Sequence, residues 1–65
     1  MSERQAALLA MAGELGDSEI SVTTWAREAR LNATRVRAML AGAAIDKKSL
    51  AALRGAAKRL IARRG

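Results

Sequence analysis

The 65-residue chain contains no cysteine and no histidine. Disulfide staples, thiol nucleophiles and imidazole bases are excluded, together with the Cys/His zinc sites that support many domains of this size. Proline, tyrosine and phenylalanine are absent as well, and Trp25 is the one aromatic residue. Strands favour β-branched and aromatic side chains, so this composition speaks against a β domain. The longest uninterrupted apolar run covers only residues 6–12, against the ~20 residues that cross a bilayer. The first residues lack the basic start, apolar middle and cleavage site of a secretory signal, and no cysteine marks an oxidising compartment. A cytoplasmic protein is the expectation.

What is present is small and helix-forming. Sixteen alanines and eight leucines dominate the 51% hydrophobic content, and both residues have high helix propensity. So short a chain holds one core. The expectation is a single all-α domain over residues 1–65, a compact bundle of four to five helices.

Acidic residues are scarce, six against twelve Lys and Arg, for a net charge of +6. They are also unevenly placed. Residues 1–26 set Arg4 against Glu3, Glu14, Asp17 and Glu19, a net of −3. From residue 27 onward eleven basic residues face only Glu28 and Asp46, a net of +9. Such asymmetry implies a basic face that attracts a polyanion.

The helix boundaries are written in side chains. Ser2 with Gln5 has the form of a capping box, and residues 3–15 follow with Leu8, Met11, Ala12 and Leu15 on one face. Gly16-Asp17-Ser18 has the composition of a loop. Ile20 and Ser21 place an apolar residue before an N-cap, with Trp25 positioned to close a hydrophobic staple. The second helix is predicted over residues 22–30, with Trp25, Ala26 and Ala29 inward. Asn32 caps a third helix to Ala41, whose buried stripe is Val36, Met39 and Leu40, and Gly42 ends it in the left-handed conformation. Asp46 caps a last helix over residues 47–62, with Leu50, Leu53, Ala57, Leu60 and Ile61 in its apolar stripe.

Two short helices around a tight turn, in a basic chain, point to a helix-turn-helix. The run Ile20-Ser21-x-x-x-Trp25-Ala26-x-x-x-Arg30-Leu31-Asn32-x-x-x-Val36, closed by Gly42, resembles the helix-turn-helix of the Cro and phage repressor class of DNA-binding domains. The likeness continues through Asp46-x-x-x-Leu50-x-x-Leu53-x-x-x-Ala57-x-x-Leu60, and so covers residues 20–60, with Leu8 to Leu15 fitting the helix before the motif. It implies a recognition helix at residues 33–41 and a small transcriptional regulator. Three positions depart from the family pattern. Arg30 stands where the family prefers glycine, and a non-glycine residue there costs about 1 kcal/mol in a left-handed turn, which leaves open a turn built differently. Val22 replaces a glutamine that reaches phosphate in many members, and Trp25 replaces a leucine.

The wheel of the third helix assigns the chemistry independently. With Val36, Met39 and Leu40 inward, the opposite face carries Ala33, Thr34, Arg37, Ala38 and Ala41, with Arg35 at its edge. Alanines let a helix sink into a major groove about 12 Å wide and touch thymine methyls, and an arginine fork matches guanine O6 and N7. Ala33, Thr34, Arg35, Arg37 and Ala38 are therefore the candidate base contacts. Arg27, Arg30, Asn32, Lys47 and Lys48 are the candidate phosphate contacts, which fix register without reading sequence. A domain this small reaches useful specificity as a homodimer on half-sites about 34 Å apart, with Leu9 or the Leu60–Ile61 end of the last helix as the candidate surface.

No cofactor or metal is expected, and no enzyme: there is no Gly-x-Ser-x-Gly elbow and no phosphate loop. The alternative is a protein-interaction module on the same fold, an antitoxin or polymerase-docking factor that uses the acidic first third. Binding to a membrane surface is disfavoured, because the last helix lacks Trp and Phe and needs its apolar stripe to close the core.

Overall fold

Four side-chain caps open four helices. Ser2 accepts from the Gln5 backbone N–H at 3.1 Å and starts α1 (Glu3–Asp17). Ser21 accepts from the Thr24 N–H at 3.1 Å and starts α2 (Val22–Glu28). Asn32 accepts from Thr34 and Arg35 N–H, at 2.8 and 3.4 Å, and starts α3 (Ala33–Leu40). The Asp46 carboxylate accepts from the Ser49 N–H at 3.0 Å and starts α4 (Lys47–Arg64). Each cap satisfies amide donors that the first helical turn leaves orphaned. The structure, a computed structural model, describes residues 2–64, and no strand occurs among them.

The predicted capping box at Ser2 is only half formed. The Gln5 amide reaches across the molecule instead and donates to the Leu40 carbonyl at 3.0 Å, one of the acceptors that the end of α3 leaves unpaired. Arg4, one residue earlier, donates to the Ile45 carbonyl at 2.8 Å. The first turn of α1 thus holds both ends of the segment between α3 and α4.

Three helix ends share one geometry. At the end of α1, Ile20 N–H reaches Leu15 O (2.9 Å) and Glu19 N–H reaches Gly16 O (3.0 Å). After α2, Leu31 N–H reaches Ala26 O (2.9 Å) and Arg30 N–H reaches Arg27 O (3.1 Å). After α3, Ala43 N–H reaches Ala38 O (2.9 Å) and Gly42 N–H reaches Met39 O (3.2 Å). These paired six-to-one and five-to-two bonds are Schellman motifs, which need a left-handed residue at the turn. The residues that take it are Glu19 (φ 59°), Arg30 (φ 61°) and Gly42 (φ 119°).

Several predicted boundaries shift for this reason. α1 runs through Gly16 to Asp17, because the motif that stops it is centred on Glu19 rather than on a glycine. α2 stops at Glu28, two residues short of the expected Arg30, which is itself the left-handed residue. α3 ends at Leu40 with Ala41 as its cap. α4 extends two residues past Ala62, its last arginines favourably placed at the negative end of the helix dipole.

The left-handed conformation costs a side chain roughly 1–2 kcal/mol that glycine does not incur, part of which glycine's greater unfolded-state entropy takes back. Arg30→Gly is therefore expected to raise the melting temperature by about 5 °C, the shift that ~1 kcal/mol produces in a domain of this size. An unchanged or lower melting temperature would show that the Arg30 side chain makes a compensating contribution.

The core gathers one or two buried residues from each short helix and a row from α4. Leu8 and Leu15 come from α1, Trp25 and Ala26 from α2, Val36 and Met39 from α3, and Ile45 from the connection. Leu50, Leu53, Ala56, Ala57 and Leu60 close it from α4. Trp25 is 1% exposed and its indole N–H donates to the Leu53 carbonyl at 2.9 Å, so its polar handle is satisfied inside the core. The radius of gyration, 10.6 Å, matches the ~10.7 Å that a folded domain of this length requires. No helix among the described residues is long and apolar enough to cross a membrane.

Candidate nucleic-acid interface

α3 packs on α2 and α1 through Val36 and Met39, so helical periodicity turns Thr34, Ala38 and Ala41 outward. All three are exposed. Arg35 and Arg37 stand on opposite flanks of this strip, since residues two apart lie about 160° apart around a helix axis. Ala33 departs from expectation: it is half-buried and packs against the core, because it sits one turn before Val36 on the inward flank.

Both arginines are tied to neighbouring helices. Arg35 donates to the Asp46 carboxylate at 3.0 Å, with side chains 57% and 50% exposed, and so leans toward the start of α4. Arg37 donates to the Thr23 hydroxyl at 2.9 Å and leans toward the start of α2. The exposed face of α3 is therefore a neutral strip of small residues between two guanidinium groups held apart. Nothing in the sequence flags these partners, because Thr23 and Asp46 lie on other elements, outside the helical period that locates the strip.

On the segments that precede and follow α3 in the chain, Arg27, Arg30, Lys47 and Lys48 are exposed. Among the described residues these four and Arg37 have no carboxylate within 4.0 Å. Their charge is thus open to an external anion. Asn32, the fifth candidate phosphate contact, is also exposed, but its side-chain oxygen is committed to capping α3, which leaves the amide N–H groups as its donors.

Three arginines of α4 serve the fold. Arg59 and Arg63 converge on Glu28 at 2.9 and 2.7 Å, fastening the end of α2 to the end of α4. Arg64 donates to the Ser18 carbonyl at 3.0 Å and lies 3.8 Å from Glu19. From residue 27 onward Arg59, Arg63 and Arg64 thus fasten helix ends, while Arg54 and Lys58 in the middle of α4 are exposed with no carboxylate within 4.0 Å among the described residues.

Hydrogen bonds from Arg63 and then Arg59 hold the Glu28 carboxyl below its ordinary value of 4.5. Asp46 is held below 3.8, chiefly by the Ser49 side chain, then by the Ser49 amide. A carboxyl more acidic in the folded chain than in the unfolded one gives stability that is complete above the unfolded value and lost as pH falls through the folded value. With no histidine, the melting temperature is expected to stay level from pH 7 to about 5 and to drop below about 4.5. Glu28→Gln should lower it at pH 7 and flatten part of that acid limb. A variant with the wild-type acid limb would show that the Glu28 contacts contribute nothing to the pH dependence.

Of the candidate dimer residues, Leu60 is buried in the core and cannot supply a surface, and Ile61 is half-buried against it. Leu9 is the one large hydrophobic residue exposed among those described, at 37%. It borders a groove of about 540 Å³ between the first turns of α1 and the 40–45 segment.

Comparison with known family models, with curated proteins and with solved structures gives no match to this chain.

Proposed function

We propose that the chain is a sequence-specific double-stranded DNA-binding regulator of helix-turn-helix type, with α2 and α3 as the two helices of the motif and α3 in the major groove. The observation that carries this reading is the face of α3: Thr34, Ala38 and Ala41 between Arg35 and Arg37, with Arg27, Arg30, Lys47 and Lys48 exposed on the segments before and after α3 and without a carboxylate partner among the described residues. Small residues allow close approach to base edges, and an arginine supplies the guanine fork. The surrounding cations neutralise phosphates and set orientation. Left-handed Arg30 in the turn fits a site where charge is kept at some expense in strain.

Two copies related by a two-fold axis would read a palindrome with half-sites about 34 Å apart, and exposed Leu9 is the natural point of self-association. The reading is tested by titrating random-sequence duplex at two salt concentrations and then selecting bound sequences. A steep salt dependence with an enriched palindromic motif supports it. Salt-dependent binding without enrichment would replace it with non-specific binding, and no binding at low salt would favour a protein partner instead. Arg30→Gly adds a check of opposite sign: it should weaken binding to all duplexes and lower the salt slope by about 1 while raising the melting temperature.

A further inference from the structure

The two oxygens of Asp46 have different partners. One accepts the Ser49 N–H at 3.0 Å and so caps α4. The other accepts from the Arg35 guanidinium at 3.0 Å. The cap holds the carboxylate at the helix start, on the side toward which Arg35 leans. The two α3 arginines are held in unequal ways. Arg37 is tied to the neutral hydroxyl of Thr23, which a guanine edge can replace by an equivalent hydrogen bond. Arg35 is tied to an ionised carboxylate held at the start of α4. Lys47 and Lys48 come directly after that carboxylate and are exposed without carboxylate partners among the described residues.

We propose that Asp46 is a positioning residue that holds Arg35 off the outward strip of α3 and groups it with Lys47 and Lys48 as a phosphate contact, leaving Arg37 as the one arginine of α3 that reads a base. The inference rests on the DNA-binding reading above. It divides the two arginines, which the helical wheel offers together as base contacts, Arg37 on the outward face and Arg35 at its edge. It also gives the carboxylate a purpose in a region that otherwise collects cations. An exposed ion pair adds little to stability, whereas a guanidinium held to one side of the strip changes which bases the strip can distinguish.

The test compares wild type, Asp46→Asn, Arg35→Ala and the double variant on a selected duplex and on random duplex, each at two salt concentrations. Asparagine keeps an oxygen for the Ser49 N–H and so preserves the cap, while the charge that ties Arg35 is lost. Arg35→Ala is expected to weaken both duplexes alike and to lower the salt slope by about 1, as loss of a phosphate contact does. Asp46→Asn should reduce the ratio of selected to random affinity about fivefold, the lower end of what one arginine–base contact discriminates. The double variant should regain the wild-type ratio, because Asp46 acts through Arg35.

Loss of base preference in Arg35→Ala would overturn the proposal. So would an Asp46→Asn variant that strengthens both duplexes equally and additively with Arg35→Ala, which is a plain charge effect. Circular dichroism checks the fold of each variant, and Asp46→Ser, another capping residue, repeats the measurement should asparagine weaken α4. A wild-type chain that binds no DNA overturns the DNA-binding reading and this inference together. Discriminating wild type with an unaltered ratio in Asp46→Asn overturns the inference alone.

Discussion

Trp25→Ala is expected to leave the chain unfolded at 25 °C. Trp25 is 1% exposed, is the largest of the fully buried side chains, and ties α2 to α4 through the Leu53 carbonyl. Truncating a buried Trp to Ala costs about 3–5 kcal/mol, part from lost transfer energy and part from the cavity left behind. A core of this size rarely provides more than ~3–5 kcal/mol in total, and the absence of cysteine and histidine leaves no disulfide or zinc site to offset the loss. The remaining core is mainly aliphatic and alanine-rich, so no neighbour has the volume to fill the space. Far-UV circular dichroism reads the outcome directly. Trp25→Phe separates packing from the hydrogen bond: it should melt cooperatively at a lower temperature, having kept most of the ring volume and lost the N–H. A Trp25→Ala variant that melts within a few degrees of wild type would show that Leu8, Val36 and Leu53 carry the core without it.

The difference between the starts and ends of these helices explains how much of the fold was legible. Ser2, Ser21, Asn32 and Asp46 each cap by side-chain chemistry at a fixed spacing, and all four sites can be found by inspection. The end of α3 is equally plain, because Gly42 announces a left-handed residue. Glu19 and Arg30 occupy the same conformation without that signal, and the predicted ends of α1 and α2 are displaced accordingly. What drives those two residues is the apolar residue that follows. Ile20 and Leu31 both pack against the core, and burying them requires the chain to turn sharply at the residue before. Tertiary packing thus overrides local preference.

A similar division holds at the candidate interface. The outward strip Thr34, Ala38 and Ala41 follows from the 3.6-residue period once Val36 and Met39 are taken as inward. The tethers Arg35–Asp46 and Arg37–Thr23 do not, since each spans two helices whose relative placement no local pattern encodes. Ala33 shows the limit of the wheel itself. Alanine is compatible with either environment, and a residue at the flank of the inward stripe, as Ala33 is, packs against the core.

Arg37→Ala should lose sequence preference, and Lys47→Ala should not. Arg37 flanks the outward strip of α3 and is restrained only by the Thr23 hydroxyl, so its fork is free to engage a guanine edge. Replacing it removes about 1–3 kcal/mol of discrimination at one base pair, a loss of about fivefold or more on the selected duplex with a much smaller change on random duplex. Lys47 stands at the start of α4, beyond the strip, and is exposed with no carboxylate partner among the described residues. Its removal should weaken every duplex by the same factor and lower the salt slope by about 1. The two variants together distinguish what binding data on the wild type cannot, because affinity for DNA in a chain of net charge +6 follows from electrostatics alone. Discrimination requires a fork at a defined place. If Arg37→Ala weakens both duplexes equally, the basic face of the chain is real but α3 does not read sequence through it.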